Sequence, residues 1–167
     1  YTPTLYQGKG GTLNLFARGG VVTPDAPYSR MFDLSGTAFA PVFFHNTFMT
    51  VRPNTFMAHA FVQANLKYTS PELWHWKWSR PRVIAQVNGM IGYVHPPKEG
   101  AVDYHLMAPE QGLVEPAVGI DKILRWGIID LGVACAYQLT PSAASYHKAA
   151  FKDCFAILGT VSLFWED

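Results

Sequence analysis

Charge is scarce in this chain. Charged residues make up 15% of its 167 residues, against about 25% in typical soluble domains. Thirteen Lys and Arg nearly balance twelve Asp and Glu, leaving a net charge of +1. No global field draws nucleic acid, and no acidic or basic tail is present. Cysteine is scarce too. Cys135 and Cys154 are the only two, which excludes a disulfide framework and suits buried free thiols. Long hydrophobic runs are missing. The nearest are Trp126 to Leu139, broken by Asp130, and the twelve residues Cys154 to Trp165. Both fall short of the ~18 clean apolar residues of a helical span.

The usual signatures of catalysis and metal binding are lacking as well. The six histidines, His45, His59, His75, His95, His105 and His147, include no H-x-x-x-H pair, and no C-x-x-C occurs. His95, Asp103 and His105 could form a two-histidine, one-carboxylate set, and His59 could be an axial haem ligand. Loop histidines that hydrogen-bond to backbone, and a satisfied core histidine at position 59, are the commoner explanation of both. Gly8-Lys9-Gly10-Gly11-Thr12 fails the phosphate-loop pattern because no Ser or Thr follows Lys9. No G-x-S-x-G elbow is present. Cys135 has no base near it in sequence, and Glu110 and Glu115 could pair in a loop without being selected for acid–base work. No catalytic residue, metal or cofactor is assigned.

Aromatic residues are abundant: eleven Phe, eight Tyr and five Trp. Such side chains, with little charge to cover them, suit a chain that buries itself against partners. A soluble protein with a rich aromatic core is the plain alternative. The most distinctive stretch is Trp74-His75-Trp76-Lys77-Trp78-Ser79-Arg80-Pro81-Arg82. It reads as a subunit-interface anchor, as a membrane-interface belt with Arg80 and Arg82 reaching lipid headgroups, or as a base-stacking segment. The neutral net charge argues against nucleic acid. Phe43, Phe44 and Trp165 join Trp74, Trp76, Trp78, Arg80 and Arg82 as expected partner or membrane contacts.

The local signals predict one mainly α domain. Residues 1–53 form an extended arm and an aromatic segment, with one short strand from Thr12 to Ala17. Asn54 caps a helix carrying Phe56, Met57, Ala60, Phe61 and Ala64. Ser70-Pro71-Glu72 starts a second helix through Trp78. Residues 82–94 form a central hairpin turning at Asn88-Gly89. Residues 95–118 are a proline-rich loop packed on a neighbour. Residues 119–167 form an antiparallel helix pair, Asp121 to Leu139 and Tyr146 to Trp165, around Thr140-Pro141. Asp130 inside an apolar helix either faces water or marks a functional contact.

His75-Trp76, Ser79-Arg80 and Asp103-Tyr104 resemble, in order, elements of the small membrane-anchor subunit of succinate dehydrogenase. That resemblance implies a haem histidine and an Asp-Tyr pair near quinone. The family's three clean helical spans are absent from this sequence, so no site residue is carried over.

The sequence thus leads us to expect a non-catalytic accessory subunit of a larger, membrane-associated respiratory-chain complex, sited at the mitochondrial inner membrane and acting by wrapping and anchoring other subunits. Tyr1 in place of Met adds the expectation of a removed targeting segment. The alternative is a haem-, quinone- or small-ligand-binding protein or enzyme with a pocket lined by the Phe39–Phe61 aromatics. A shell-forming coat protein is a third reading.

Overall fold

The computed structural model describes residues 3–24, 26, 30–33, 42–43, 47–51, 56–95, 108–127, 129–140 and 154–163. These residues overturn the α expectation: they contain no helix. Ten strands occur: β1 (Thr4–Gly8), β2 (Gly11–Val21), β3 (Phe32–Asp33), β4 (Val42–Phe43), β5 (Met57–Ala58), β6 (Ala60–Thr69), β7 (Arg82–Tyr93), β8 (Leu113–Trp126), β9 (Ile129–Tyr137) and β10 (Phe155–Leu163). Eight of them form one sheet in the order β1-β2-β6-β7-β8-β9-β10-β4. All its pairs are antiparallel except β10 with β4. β3 and β5 form a separate two-stranded pair.

The segment expected as the helix Asp121 to Leu139 shows why strands win. Ile129, Leu131, Val133, Cys135, Tyr137 and Leu139 alternate with Asp130, Gly132, Ala134, Ala136 and Gln138. The first set is half-buried or exposed, and most of the second is buried. A period of two separates two faces only on a strand. The apolar set expected there, Ile123, Leu124, Ile128, Leu131 and Cys135, straddles the end of β8 and the start of β9, and Ile128 lies outside the described residues.

The same logic corrects the other helices. Phe61, Gln63 and Asn65 face one side of β6, and Val62, Ala64 and Leu66 face the other. Asn54 lies outside the described residues, and Phe56 precedes the short strand β5. The expected second helix is an irregular loop at residues 70–81, closed by a bridge between Trp76 and Ser79. Ser70 does not cap a helix there. Its hydroxyl accepts the Val83 amide at 2.8 Å and ties the loop to β7.

The central hairpin is absent because Asn88 and Gly89 sit in mid-strand. Asn88 pairs with Asn65 on one side and Glu115 on the other. With both edges of β7 occupied in register, the chain runs straight through a dipeptide that would otherwise turn. The two-residue turn lies at Lys9-Gly10 instead, where Gly11 adopts φ 117°, a conformation open to glycine. The expected strand Thr12–Ala17 falls inside β2. Of the expected loop 95–118, residues 96–107 lie outside the description and residues 113–118 open β8. Pro116 sits opposite Val87, just before Ala117, where pairing with β9 begins. The expected C-terminal pair is antiparallel as strands, β9 against β10, while residues 141–153 and 164–167 lie outside the description.

The aromatic segment ahead of β6 covers one face of the sheet. Phe48, Val51 and Phe56 cluster with Phe61, Met90 and Leu113 from β6, β7 and β8. The next residue along, Met49, clusters with Ala134, Ala136 and Leu158 from β9 and β10. Adjacent residues of one segment, Phe48 and Met49, therefore belong to two clusters that together span β6 to β10.

Candidate functional site

The covered face is polar at its centre. Arg18 on β2 donates through Nε to Gln63 Oε1 at 2.8 Å. Gln63 donates to Asn65 Oδ1 at 3.0 Å, and Asn65 donates to Asn88 Oδ1 at 2.6 Å. Gln86 Nε2 also donates to Asn88 Oδ1. Asn88 Nδ2 in turn donates to Glu115 Oε1 at 3.0 Å and to the Thr47 carbonyl at 3.1 Å. The row crosses β2, β6, β7 and β8, and Gln63, Asn65, Gln86, Asn88 and Glu115 are all buried. Burying so many amides costs free energy unless each finds a partner. Here each side chain supplies its neighbour's, although Gln86 Oε1 is buried without one.

Glu115 ends the row and holds residues 47–51. The Met49 amide donates to Oε1 at 2.9 Å. The Thr50 amide and hydroxyl donate to Oε2 at 2.7 and 2.6 Å. A carboxylate accepting several such bonds makes strong, charge-assisted contacts. The expectation that Glu115 pairs with Glu110 in a loop is corrected: Glu115 is fully buried on β8, and Glu110 is exposed in the turn before it.

A second polar group lies toward the β8–β9 turn. Arg125 grips Asp130 with two bonds, 2.8 and 3.2 Å, and Lys122 Nζ lies 3.6 Å from the same carboxylate. Thr160 donates to Asp121 at 3.1 Å. Asp130 is therefore an inward, ion-paired residue of a strand, neither solvent-facing nor helical.

The opposite face is apolar. Register and alternation put Leu13, Leu15, Ala17 and Val21 of β2 there, with Val62, Ala64 and Leu66 of β6 and Val83, Ala85, Val87 and Ile91 of β7. β8, β9 and β10 add Val118, Ile120, Leu124, Leu131, Val133, Ile157 and Val161. From β2 to β10, outside the bulge at residues 121–123, no described residue on this face is charged or an amide. Val62, Val118 and Ile157 are 61%, 51% and 63% exposed.

Aromatic side chains mark both ends of this face. Tyr68 and Trp126 lie at one end, beside the loop that carries Trp74, Trp76 and Trp78; Trp126 is 76% exposed. Tyr93, Tyr137 and Phe155 lie at the other. The tryptophan loop is tied to β8: Arg125 donates to the Trp78 carbonyl at 2.8 Å, and Arg80 to the Lys122 carbonyl at 3.1 Å. All three tryptophans point outward and are more than half exposed.

The other expected contact residues scatter. Arg82 opens β7 and bonds Glu72 at 2.7 Å. Nε of Arg80 and of Arg82 is buried without a partner. Phe43 lies in β4, and Phe44 and Trp165 lie outside the described residues. His59 is buried between β5 and β6 and its Nδ1 accepts the His95 amide at 3.2 Å, while Asp103 and His105 lie outside the description. Of the aromatics expected to line a pocket, Phe48, Phe56 and Phe61 pack into the cluster over β6–β8, and Phe39 and Phe44 lie outside the described residues. The amide row and Glu115 were missed as a group. Their signal was the alternation Gln63-x-Asn65-x-Lys67 and Gln86-x-Asn88, each spaced by apolar residues.

No family model, curated protein or solved structure matches this chain.

Proposed function

We propose that this chain is a membrane-embedded β-sheet protein of the barrel type, with lipid on its apolar face and a polar, filled interior. The carrying observation is the inverted distribution of polarity. Buried positions of β6, β7 and β8 hold amides and a carboxylate, whereas exposed positions hold Val, Ile and Leu. A water-soluble sheet arranges these the other way round. Strand-built membrane proteins alternate apolar-out with polar-in and carry aromatic girdles at both interfaces. Strand lengths support the reading. β2, β6, β9 and β10 have 11, 10, 9 and 9 residues, and a tilted strand needs about 9–11 to cross the hydrocarbon core. No helix among the described residues is long and apolar enough to cross a membrane, which says nothing of strands. Outer membranes are where such sheets occur, so this reading favours an outer membrane over the expected mitochondrial inner one.

The second reading keeps the expected accessory subunit, with other protein subunits of a hetero-oligomeric complex covering the apolar face. The exposed Trp74, Trp76 and Trp78 favour it, since tryptophan anchors interfaces. One experiment separates the two. The full chain is refolded into vesicles whose acyl chains carry bromine, and tryptophan emission is followed. Lipid contact predicts strong quenching, with Trp126 foremost. A chain that stays compact and monomeric in plain buffer and is never quenched refutes the membrane reading.

A further inference from the structure

The two ends of the outer face differ in charge as well as in their aromatic residues. Trp74, Trp76, Trp78 and Trp126 all lie at one end, and none of the described tryptophans lies at the other. Cations gather at the tryptophan end too. Lys9 sits there in the β1–β2 turn, which Tyr68 ties to the strand leading into the loop by donating to the Gly10 carbonyl at 2.6 Å. Lys77 and Arg80 lie in the loop itself. Nearby cations are already paired, Arg82 with Glu72, and Arg125 and Lys122 with Asp130. Lys77 and Arg80 bond no carboxylate among the described residues. Lys77 Nζ stands 5.2 Å from the centre of the Trp78 ring, and Arg80 Nε is without an acceptor. The exposed charges described at the opposite end are Arg30, Asp33 and Glu110, two of them acids.

We propose that the tryptophan end docks on anionic phospholipid, with Lys77 and Arg80 taking the headgroup phosphates. The inference rests on the membrane reading above and deepens it by naming the lipid and the end of the sheet that meets it. Three observations support it. First, indoles favour the headgroup level of a bilayer, and the long stems of Lys and Arg carry their charges to the same level. The loop interleaves the two, with Lys77 between Trp76 and Trp78 and Arg80 two residues on. Second, the loop is already held in place. Trp76 and Ser79 exchange backbone bonds of 2.9 and 3.2 Å, and the Ser79 hydroxyl donates to the Ile123 carbonyl at 2.7 Å. With its backbone ties to β8, it needs little further ordering to bind lipid. Third, charge complementarity selects the headgroup. A zwitterionic headgroup brings its own ammonium, which competes for the phosphate and repels Lys77 and Arg80. An anionic headgroup leaves the phosphate charge to them.

The test uses the full chain inserted in phosphatidylcholine vesicles. Bromine is carried on the acyl chains of either phosphatidylglycerol or phosphatidylcholine, at the same low mole fraction, and tryptophan quenching gives the relative affinity of the two lipids for the indoles. Wild type is expected to favour brominated phosphatidylglycerol about fivefold, the factor that one cation near an anionic surface supplies. Lys77→Gln combined with Arg80→Gln is expected to bring the ratio close to one. Lys77→Gln alone, an exposed change, should bring it to about half the wild-type value, and serves if the double variant fails to insert. Arg30→Gln removes the same charge at the opposite end and leaves the ratio unchanged. A wild-type ratio near one, a ratio that the inserted Lys77→Gln or double variant keeps in full, or an equal fall in Arg30→Gln overturns the anionic-lipid assignment and leaves the membrane reading intact. Wild-type protein quenched by neither lipid overturns both.

Discussion

The two faces of the sheet are built from the same strands by the same alternation, yet they obey opposite rules. On β7, Gln86 and Asn88 are buried while Val87 between them is 48% exposed. On β6, Gln63 and Asn65 are buried while Val62 and Leu66 are exposed. The inner face gains from directional bonds that fix one arrangement, because an unpaired amide there has no water to turn to. The outer face has no such directionality and only a requirement to be apolar. On the membrane reading proposed above, the contrast marks the lipid side: aliphatic side chains line the exposed face of six adjacent strands, an apolar expanse that water-facing surfaces rarely carry.

The sharpest way to break that comparison is a charge on the outer face. Val87→Arg places a guanidinium near the middle of β7. If lipid covers the face, unfolding from vesicles in urea should show a loss of about 2–4 kcal/mol, as cationic substitutions at a bilayer midplane do. If water covers it, the change should stay within about 0.5 kcal/mol. A null result removes the asymmetry on which the membrane reading stands.

The inner face should answer to a different substitution. Asn88→Leu conserves bulk but strands the Asn65 amide, Gln86 Nε2 and one bond of Glu115. Leaving buried partners unsatisfied costs about 1–3 kcal/mol, read from the same urea titration. Leucine is what the outer face prefers, so equal stability would show that polarity on the inner face is incidental. Steric demand sharpens the comparison further. Gly132 faces inward on β9, where a Cβ would collide with Thr160 Oγ1 and the Ile120 carbonyl. Gly132→Ala should cost about 1–3 kcal/mol through backbone displacement. On the outer face Gly89 has nothing nearer than 3.9 Å to an added Cβ, so Gly89→Ala should be close to neutral in the same assay.

Much of this was written in the sequence in a form that two periods share. Leu131, Cys135 and Leu139 are four apart, a spacing that a helix face and a strand face both satisfy. Only the intervening Val133 and Tyr137, on the same side, decide for the strand. The glycines and alanines between them looked like close helix packing, whereas Gly132, Ala134 and Ala136 make room for Met49 and Thr160. Ser70-Pro71-Glu72 carries every local mark of a helix start, and the Val83 amide takes the serine hydroxyl instead. Asn88-Gly89 is a turn signal that tertiary pairing overrides. The aromatic surplus and the tryptophan run were legible from composition, and the structure brings Trp74, Trp76 and Trp78 to one edge. The Glu115 clasp was not legible, because it joins residues 65 and 66 positions apart and no local spacing encodes that.

The smallest expected effect concerns the tryptophan edge itself. Glu72 bonds His75 Nδ1 at 2.9 Å and Arg82 at 2.7 Å. Hydrogen bonds from His75 and then Arg82 hold its carboxyl down to about 2, from the usual 4.5. A lowered carboxyl stabilises the folded loop fully above pH 4.5, and that contribution is lost as pH falls toward 2. The tryptophan emission of wild type should therefore shift between pH 4.5 and 2 while Glu72→Gln shows no such step. Because His75 is largely exposed and Glu72 partly so, water weakens the pair, and 1 M salt should shrink the step further by screening. An identical pH profile in the two proteins would show that the loop is held by its backbone ties to β8 alone, and that the aromatic edge owes nothing to charge.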